Sequence, residues 1–264
     1  MDLGLTGKVA WVLGGSSGLG RASAASLARE GAVVAISSRD AGALNEAAVA
    51  IEQDSGSRCI AAPLDVTDSA AIQAVHAEIA DELGAVDVLV SNGGGPPPGP
   101  FEETDDEVMQ GAFALTTASA WRLARAVLPA MQARGSGAII FLTSSSTKEV
   151  IGGLLLSNMM RAAVVGMAKT MSKELGPSGI RVLCVAPGRI QTTRIEALDS
   201  NKAKLTGKTQ EQVAQEFRDA IPLRRYGRTE EFGDVVAFAA SARASYLTGT
   251  TLMVDGGLTN STHA

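Results

Sequence analysis

The stretch VAWVLGGSSGLG, residues 9–20, constrains what this chain can fold into more than any other. Val9–Leu13 is a short apolar run with no room for a helix, so it reads as a buried strand. It breaks into Gly14, Gly15, Ser16, Ser17, Gly18, Leu19 and Gly20, and a helix of small residues follows over 19–29. A strand, a glycine turn and a helix in that order make a cradle for phosphate: the glycines let backbone approach the anion, and the helix N-terminus aims free N–H groups at it. The spacing is G-x-x-x-G-x-G through Gly14, Gly18 and Gly20, not G-x-G-x-x-G. A plain strand-to-helix turn is the alternative for this stretch taken alone.

The rest of the chain repeats the alternation. Residues 32–37, 59–64, 86–91, 137–143, 180–186 and 251–254 read as strands, with helical stretches between them. Asp68 or Thr67 caps the helix that runs to Leu83, and Thr104 with Glu107 resembles a capping box. Between Asn92 and Phe101 lies the one low-complexity segment, Pro96-Pro97-Pro98-Gly99-Pro100, read as a stiff loop at the rim of a site because it follows a strand's C-terminal end. Residues 199–220 are polar and amphipathic, and a mobile helical insertion is expected over 192–222. Strands alternating with helices predict an α/β fold: one Rossmann-type, doubly wound domain over 1–264, with about seven parallel strands and helices on both faces.

Composition excludes several functions. The net charge of −5 argues against nucleic acid as the partner, and no apolar run approaches the ~20 residues of a membrane span. No signal peptide is evident at the N-terminus, and Cys59 and Cys184 sit in or beside apolar runs without metal-ligand spacing. Two buried thiols suit a reducing compartment, so a cytoplasmic location and no bound metal are expected. His76, in a helix of mixed polarity, and His263, in the tail, read as solvated rather than catalytic.

Five ordered motifs carry a resemblance: Gly14-xxx-Gly18-x-Gly20, Asp65-Val66, Asn92-Gly93-Gly94, Pro187-Gly188-Arg189-Ile190-Gln191-Thr192, and Leu247-Thr248-Gly249 leading to Val254-Asp255-Gly256-Gly257. Their order over nearly the whole chain resembles the short-chain dehydrogenase/reductase family. The string 94–100, with Leu156-Ser157-Asn158, is similar to bacterial members labelled 3-oxoacyl-carrier-protein reductases. The resemblance implies a nicotinamide dinucleotide, a small carbonyl or alcohol substrate and a homo-oligomer, dimer or tetramer. It assigns the pyrophosphate to Gly14, Ser16, Ser17, Gly18, Leu19 and Gly20, and the adenine to Asp65 and Val66. Asn92 and Gly93 would flank the adenosine ribose, while Pro187, Gly188, Ile190 and Thr192 would line the nicotinamide. Where an acidic residue would select NAD, this chain has Ser38 and Arg39, a hydroxyl and a guanidinium that suit the 2′-phosphate of NADP.

The catalytic positions depart from the family pattern of serine, tyrosine and lysine. Ser144 falls on the serine, Ser157 on the tyrosine and Arg161 on the lysine, while the proton-relay asparagine falls near Thr116. A serine hydroxyl is a far weaker acid than a phenol, and a guanidinium does not release a proton at neutral pH. Lys148, in the loop after Ser144, is the nearest titrating group and a candidate proton donor. An oxidoreductase with a variant active site and a dinucleotide-binding or regulatory protein without catalysis both fit. A halohydrin-dehalogenase-like branch, which keeps its tyrosine and fills its glycine loop, fits less well.

Overall fold

In a computed structural model, described for residues 1–262, apolar runs too short for helices become strands. These are β1 (Val9–Leu13), β2 (Val33–Ser37), β3 (Cys59–Ala61), β4 (Val88–Ser91), β5 (Gly137–Leu142), β6 (Ile180–Pro187) and β7 (Thr251–Val254). All neighbours pair in parallel, in the order β3-β2-β1-β4-β5-β6-β7. The chain winds outward in one direction through β2 and β3, then crosses β1 and winds outward in the other. The reversal leaves a crevice between the C-terminal ends of β1 and β4, the place where such sheets bind ligands.

Residues of β1 alternate between two cores. Ala10 and Val12 pack with Leu27 of α1 (Gly18–Arg29), Leu44 of α2 (Ala41–Ser55) and Phe232 and Val236 of α9 (Thr229–Ala240). Trp11 and Leu13 pack on the opposite face with Ile72 of α3 (Ser69–Leu83), Leu123 of α5 (Ser119–Arg134) and Val164 of α6 (Leu155–Leu175). That two-residue period explains why the strand is apolar throughout: both of its faces are covered. Trp11, fully buried, satisfies its one polar atom by donating Nε1–H to Ser37 Oγ at 2.9 Å.

Several boundaries differ from the sequence reading. The strand expected over 59–64 stops at Ala61, because Pro63 has no N–H to give; Ala62 and Leu64 still donate to Ile36 and Ser38 carbonyls, so the segment runs alongside β2. Asp105, not Thr104, caps α4 (Asp106–Phe113), accepting from Val108 N, while the Thr104 hydroxyl turns back to the Pro100 carbonyl. A π-helical turn over Ala114–Ala118 links α4 to α5 and brings Thr116 into the interior. His76 is not solvated: it is half-buried, its ring centroid 6.0 Å from that of Trp11, and burial lowers its pKa. His263 lies outside the described residues.

The charged stretch folds as two helices, α7 (Thr193–Thr206) and α8 (Gln210–Ala220), each started by a threonine cap. One buried carboxylate, Asp199, ties them down. It pairs with Arg189 and accepts from the Tyr226 hydroxyl at 2.8 Å, and Arg189 in turn lies flat on Phe217 of α8. No described helix is long and apolar enough to cross a membrane.

Candidate active site

A cleft of about 430 Å³ opens over the C-terminal ends of the strands, and its walls gather almost every residue singled out from sequence. The dinucleotide end is built from the β1–α1 turn, with Gly14, Ser16, Ser17, Gly18 and Leu19 on its surface. Gly14 adopts a left-handed φ of +66°, and a Cβ on Gly20 would strike the Gly14 carbonyl oxygen. No side chain caps α1, so the N–H groups of its first turn remain open to an anion. These are the features a pyrophosphate requires, and the residues present fit a dinucleotide.

Ser38 and Arg39 follow β2 on the same wall, beside Asp65 and Val66. The Asp65 carboxylate accepts from Thr67 N at 2.9 Å and Thr67 Oγ1 at 2.7 Å, which holds its pKa below the usual carboxylate value, with a smaller contribution from Arg39. Asn92 and Gly93 continue the floor past β4, and Pro187, Gly188, Ile190 and Thr192 close the far side past β6. Gly20 alone of the expected phosphate-loop residues lies behind the surface, where it packs under Gly14.

At the other end, Ser144, Ser157 and Arg161 line the cleft together. Ser144 follows β5 and accepts from Ser146 N at 3.1 Å, which leaves its own O–H free to donate into the cleft. Ser157 is 8% exposed, and one turn of α6 separates it from Arg161, so both side chains share a helix face. The Arg161 guanidinium donates from Nη1 to the Leu142 carbonyl at 2.8 Å and from Nη2 to the Gly94 carbonyl at 2.9 Å. It thereby joins the chain leaving β4 to the end of β5. Desolvation, with a smaller push from Arg194, pulls its pKa down to about 10, so it stays cationic at neutral pH.

Lys148 is the exception among the expected catalytic residues. It is not among the residues that line the cleft, and its charge acts weakly against the burial that raises the pKa of the Cys184 thiol. The strand end fixed Ser144 in place, but the tight helical turn Ser145–Thr147 redirected what followed. The proton role read for Lys148 from its nearness to Ser144 gains no support from a place in the cleft lining. Burial pushes both thiols up to about 12, so Cys59 and Cys184 are inert.

Three residues gain importance from the structure. Thr116 and Thr143 both present buried, unpartnered hydroxyl oxygens, and both line a small cavity behind Arg161. Arg194, the second residue of α7, reaches across the cleft and donates from Nη2 to the Pro96 carbonyl at 2.8 Å. Its position two residues beyond the Pro187–Thr192 motif was the available signal, obscured because the whole segment reads as a charged cover.

Neither tyrosine of the chain lines the cleft. Tyr226 is held by Asp199, and desolvation with that hydrogen bond raises its pKa; Tyr246 is fully exposed and lies off the cleft.

Comparison with known proteins finds relatives over the whole chain. Residues 14–259 match the family model described as Enoyl-(Acyl carrier protein) reductase. Oxidoreductase UcpA of Salmonella typhimurium is 35% identical over 260 residues, covering 97% of this chain and 95% of that protein. The 3-oxoacyl-[acyl-carrier-protein] reductase FabG of Escherichia coli is 35% identical over 254 residues, covering 96% and 97%. Among solved structures, L-sorbose reductase from Gluconobacter frateurii, complexed with NADPH and L-sorbose, superposes with a TM-score of 0.93 at 33% identity, covering 99% of this chain and 100% of that one. Glycine cradle, strand order and full-length similarity converge: the chain belongs to the short-chain dehydrogenase/reductase family of oxidoreductases.

Proposed function

We propose that this protein is an NADP(H)-dependent oxidoreductase that interconverts a carbonyl compound and an alcohol through an active site of Ser144, Ser157 and Arg161. The observation that carries this reading is that those three residues line one cleft with the glycine cradle and Arg39. NADP is favoured over NAD because Arg39 stands where a carboxylate would repel a 2′-phosphate. The NADPH bound to L-sorbose reductase supports the same preference. A 3-oxoacyl compound is the leading substrate class, supported by the similarity to FabG.

When bound, reduced nicotinamide supplies a hydride, two electrons with one proton, to a carbonyl carbon. The chain's task is then to orient the carbonyl and to accommodate charge on its oxygen. Ser144 and Ser157 donate hydrogen bonds to that oxygen, and the Arg161 cation stabilises the negative charge that builds there. Arg161 cannot give up a proton, and a serine hydroxyl is a poor acid, so the proton that completes the alcohol comes from water at the serine hydroxyls. The residues over 192–222 cover this end of a single domain. The exposed Trp121 of α5 and Met159 of α6 offer apolar surface for a homotetramer, and the cytoplasm is the compartment that suits two free buried thiols.

A second reading, dinucleotide binding without turnover, is favoured by the absence of any phenol among the residues lining the cleft. Calorimetry with NADPH and NADH, followed by single-turnover oxidation of bound NADPH against a panel of ketones and 3-oxoacyl thioesters, separates the two. Tight NADPH binding with no oxidation by any carbonyl selects the binding protein, and failure to bind either dinucleotide overturns both.

A further inference from the structure

Four charged side chains line the cleft, and they are divided between its ends: Arg39 and Asp65 at the dinucleotide end, Arg161 and Arg194 at the reaction end. The two cations at the reaction end have no carboxylate within ion-pair distance among the described residues. Their partners are backbone carbonyls alone: Leu142 and Gly94 for Arg161, Pro96 for Arg194. Asp65 cannot compensate them. It follows β3, three to four strand positions from β4 and β5, which is about 14–19 Å at the usual strand spacing. That exceeds the Debye length of about 8 Å at physiological ionic strength.

A guanidinium has five N–H donors, and these two have committed only two and one of theirs. The unused donors belong to groups whose pKa values are already lowered by desolvation, in Arg161 with a further push from Arg194. Ser157, more than nine-tenths buried, adds a hydroxyl without a protein partner to the same wall. The phosphates of the dinucleotide have other hosts, the open first turn of α1 and Arg39. Thr192 is the α7 residue that faces the phosphate loop, its Cγ2 3.5 Å from where a Gly18 Cβ would stand, whereas Arg194 turns to Gly95 and Pro96.

We infer that the substrate of this site is an anion, an oxo or hydroxy acid whose carboxylate is gripped by Arg194, with the charge of Arg161, anchored two residues away on the same 94–96 segment, adding attraction. A carboxylate accepts in parallel from a planar guanidinium, which places the reacting carbonyl a short reach away at Ser144 and Ser157. The inference rests on the dinucleotide reading for which end of the cleft is the reaction end; it narrows the substrate to the free acid in place of a 3-oxoacyl thioester, because only the acid keeps a carboxylate for Arg194.

The test measures binding rather than turnover. Calorimetry first records NADPH affinity; no binding there overturns the dinucleotide reading by itself. Acetoacetate, 2-oxobutanoate and their methyl esters are then titrated into protein with and without NADPH, by thermal shift and calorimetry. At least one acid is expected to bind about ten-fold more tightly than its ester, the preference weakening with added salt. Arg194→Met should bring acid and ester to parity, Arg194→Lys should retain part of the difference, and NADPH affinity should stay within about two-fold in both. Esters binding as well as acids, no acid binding at all, or Arg194→Met weakening NADPH as much as the acid would each overturn the proposal. The acid–ester comparison in wild-type protein decides the question even if the Arg194 variants fail to fold.

Discussion

The two ends of the cleft are built by different means. At the dinucleotide end, backbone does the work: glycines bring main chain to the ligand, and uncapped N–H groups of α1 face it. At the reaction end, side chains do the work, and the wall consists of serines and guanidiniums pinned to carbonyls. A backbone cradle tolerates few substitutions because a Cβ collides with it. Side-chain chemistry can be exchanged while the helix that carries it stays the same. Ser157 and Arg161 share one face of α6, whereas the phosphate loop lies in the β1–α1 turn, a separate element of the cleft.

That contrast can be broken at either end. The largest effect is expected where the reaction end's cover is fastened. Asp199→Ala removes the shared partner of Arg189 and Tyr226 and leaves a largely buried guanidinium uncompensated, which should cost about 3–5 kcal/mol in chemical denaturation. It should also raise hydrogen exchange over 192–222 while leaving the β1–α1 turn protected. Next, if the two ends are independent, restoring the family's chemistry should need changes in α6 alone. Ser157→Tyr with Arg161→Lys is expected to raise single-turnover NADPH oxidation by about a hundred-fold, the scale of a positioned general acid, whereas Ser157→Tyr alone should gain little. A single mutant matching the double would show that Arg161 was no obstacle. At the opposite end, Arg39→Ala should weaken NADPH by about ten-fold and leave NADH unchanged, read by calorimetry. The smallest effect is expected from Lys148→Ala, within about two-fold of wild type in hydride transfer and in NADPH affinity, since the residue lies off the cleft.

The same contrast governs what could be read from sequence. The number of strands, their doubly wound arrangement and the cradle were legible because short apolar runs and glycine spacing are backbone signals, local in the chain. The boundaries that moved did so for local reasons as well: Pro63 ended a ladder, and Asp105 outcompeted Thr104 as a cap. What could not be read depended on how a turn is directed in space. Lys148 and Arg194 are both basic residues past a strand's C-terminal end, yet Lys148 is not among the residues that line the cleft, whereas Arg194 lines it and donates to the Pro96 carbonyl. The π-helical turn that buries Thr116 has the composition of ordinary helix, so nothing in the residues announces it.

The double anchor of Arg161 has a consequence for the timing of order. Because one planar group holds the Leu142 and Gly94 carbonyls together, the wall past β4 and β5 is assembled before any ligand arrives. A lysine at this position, with a single ammonium on a flexible stem, would leave that assembly to the ligand. Freezing these loops in advance spares the ligand the entropy of ordering them, of order 0.5–1.5 kcal/mol for each rotamer-rich side chain. The two carbonyl anchors of Arg161 thus make the wall past β4 and β5 a property of the protein's own side chains.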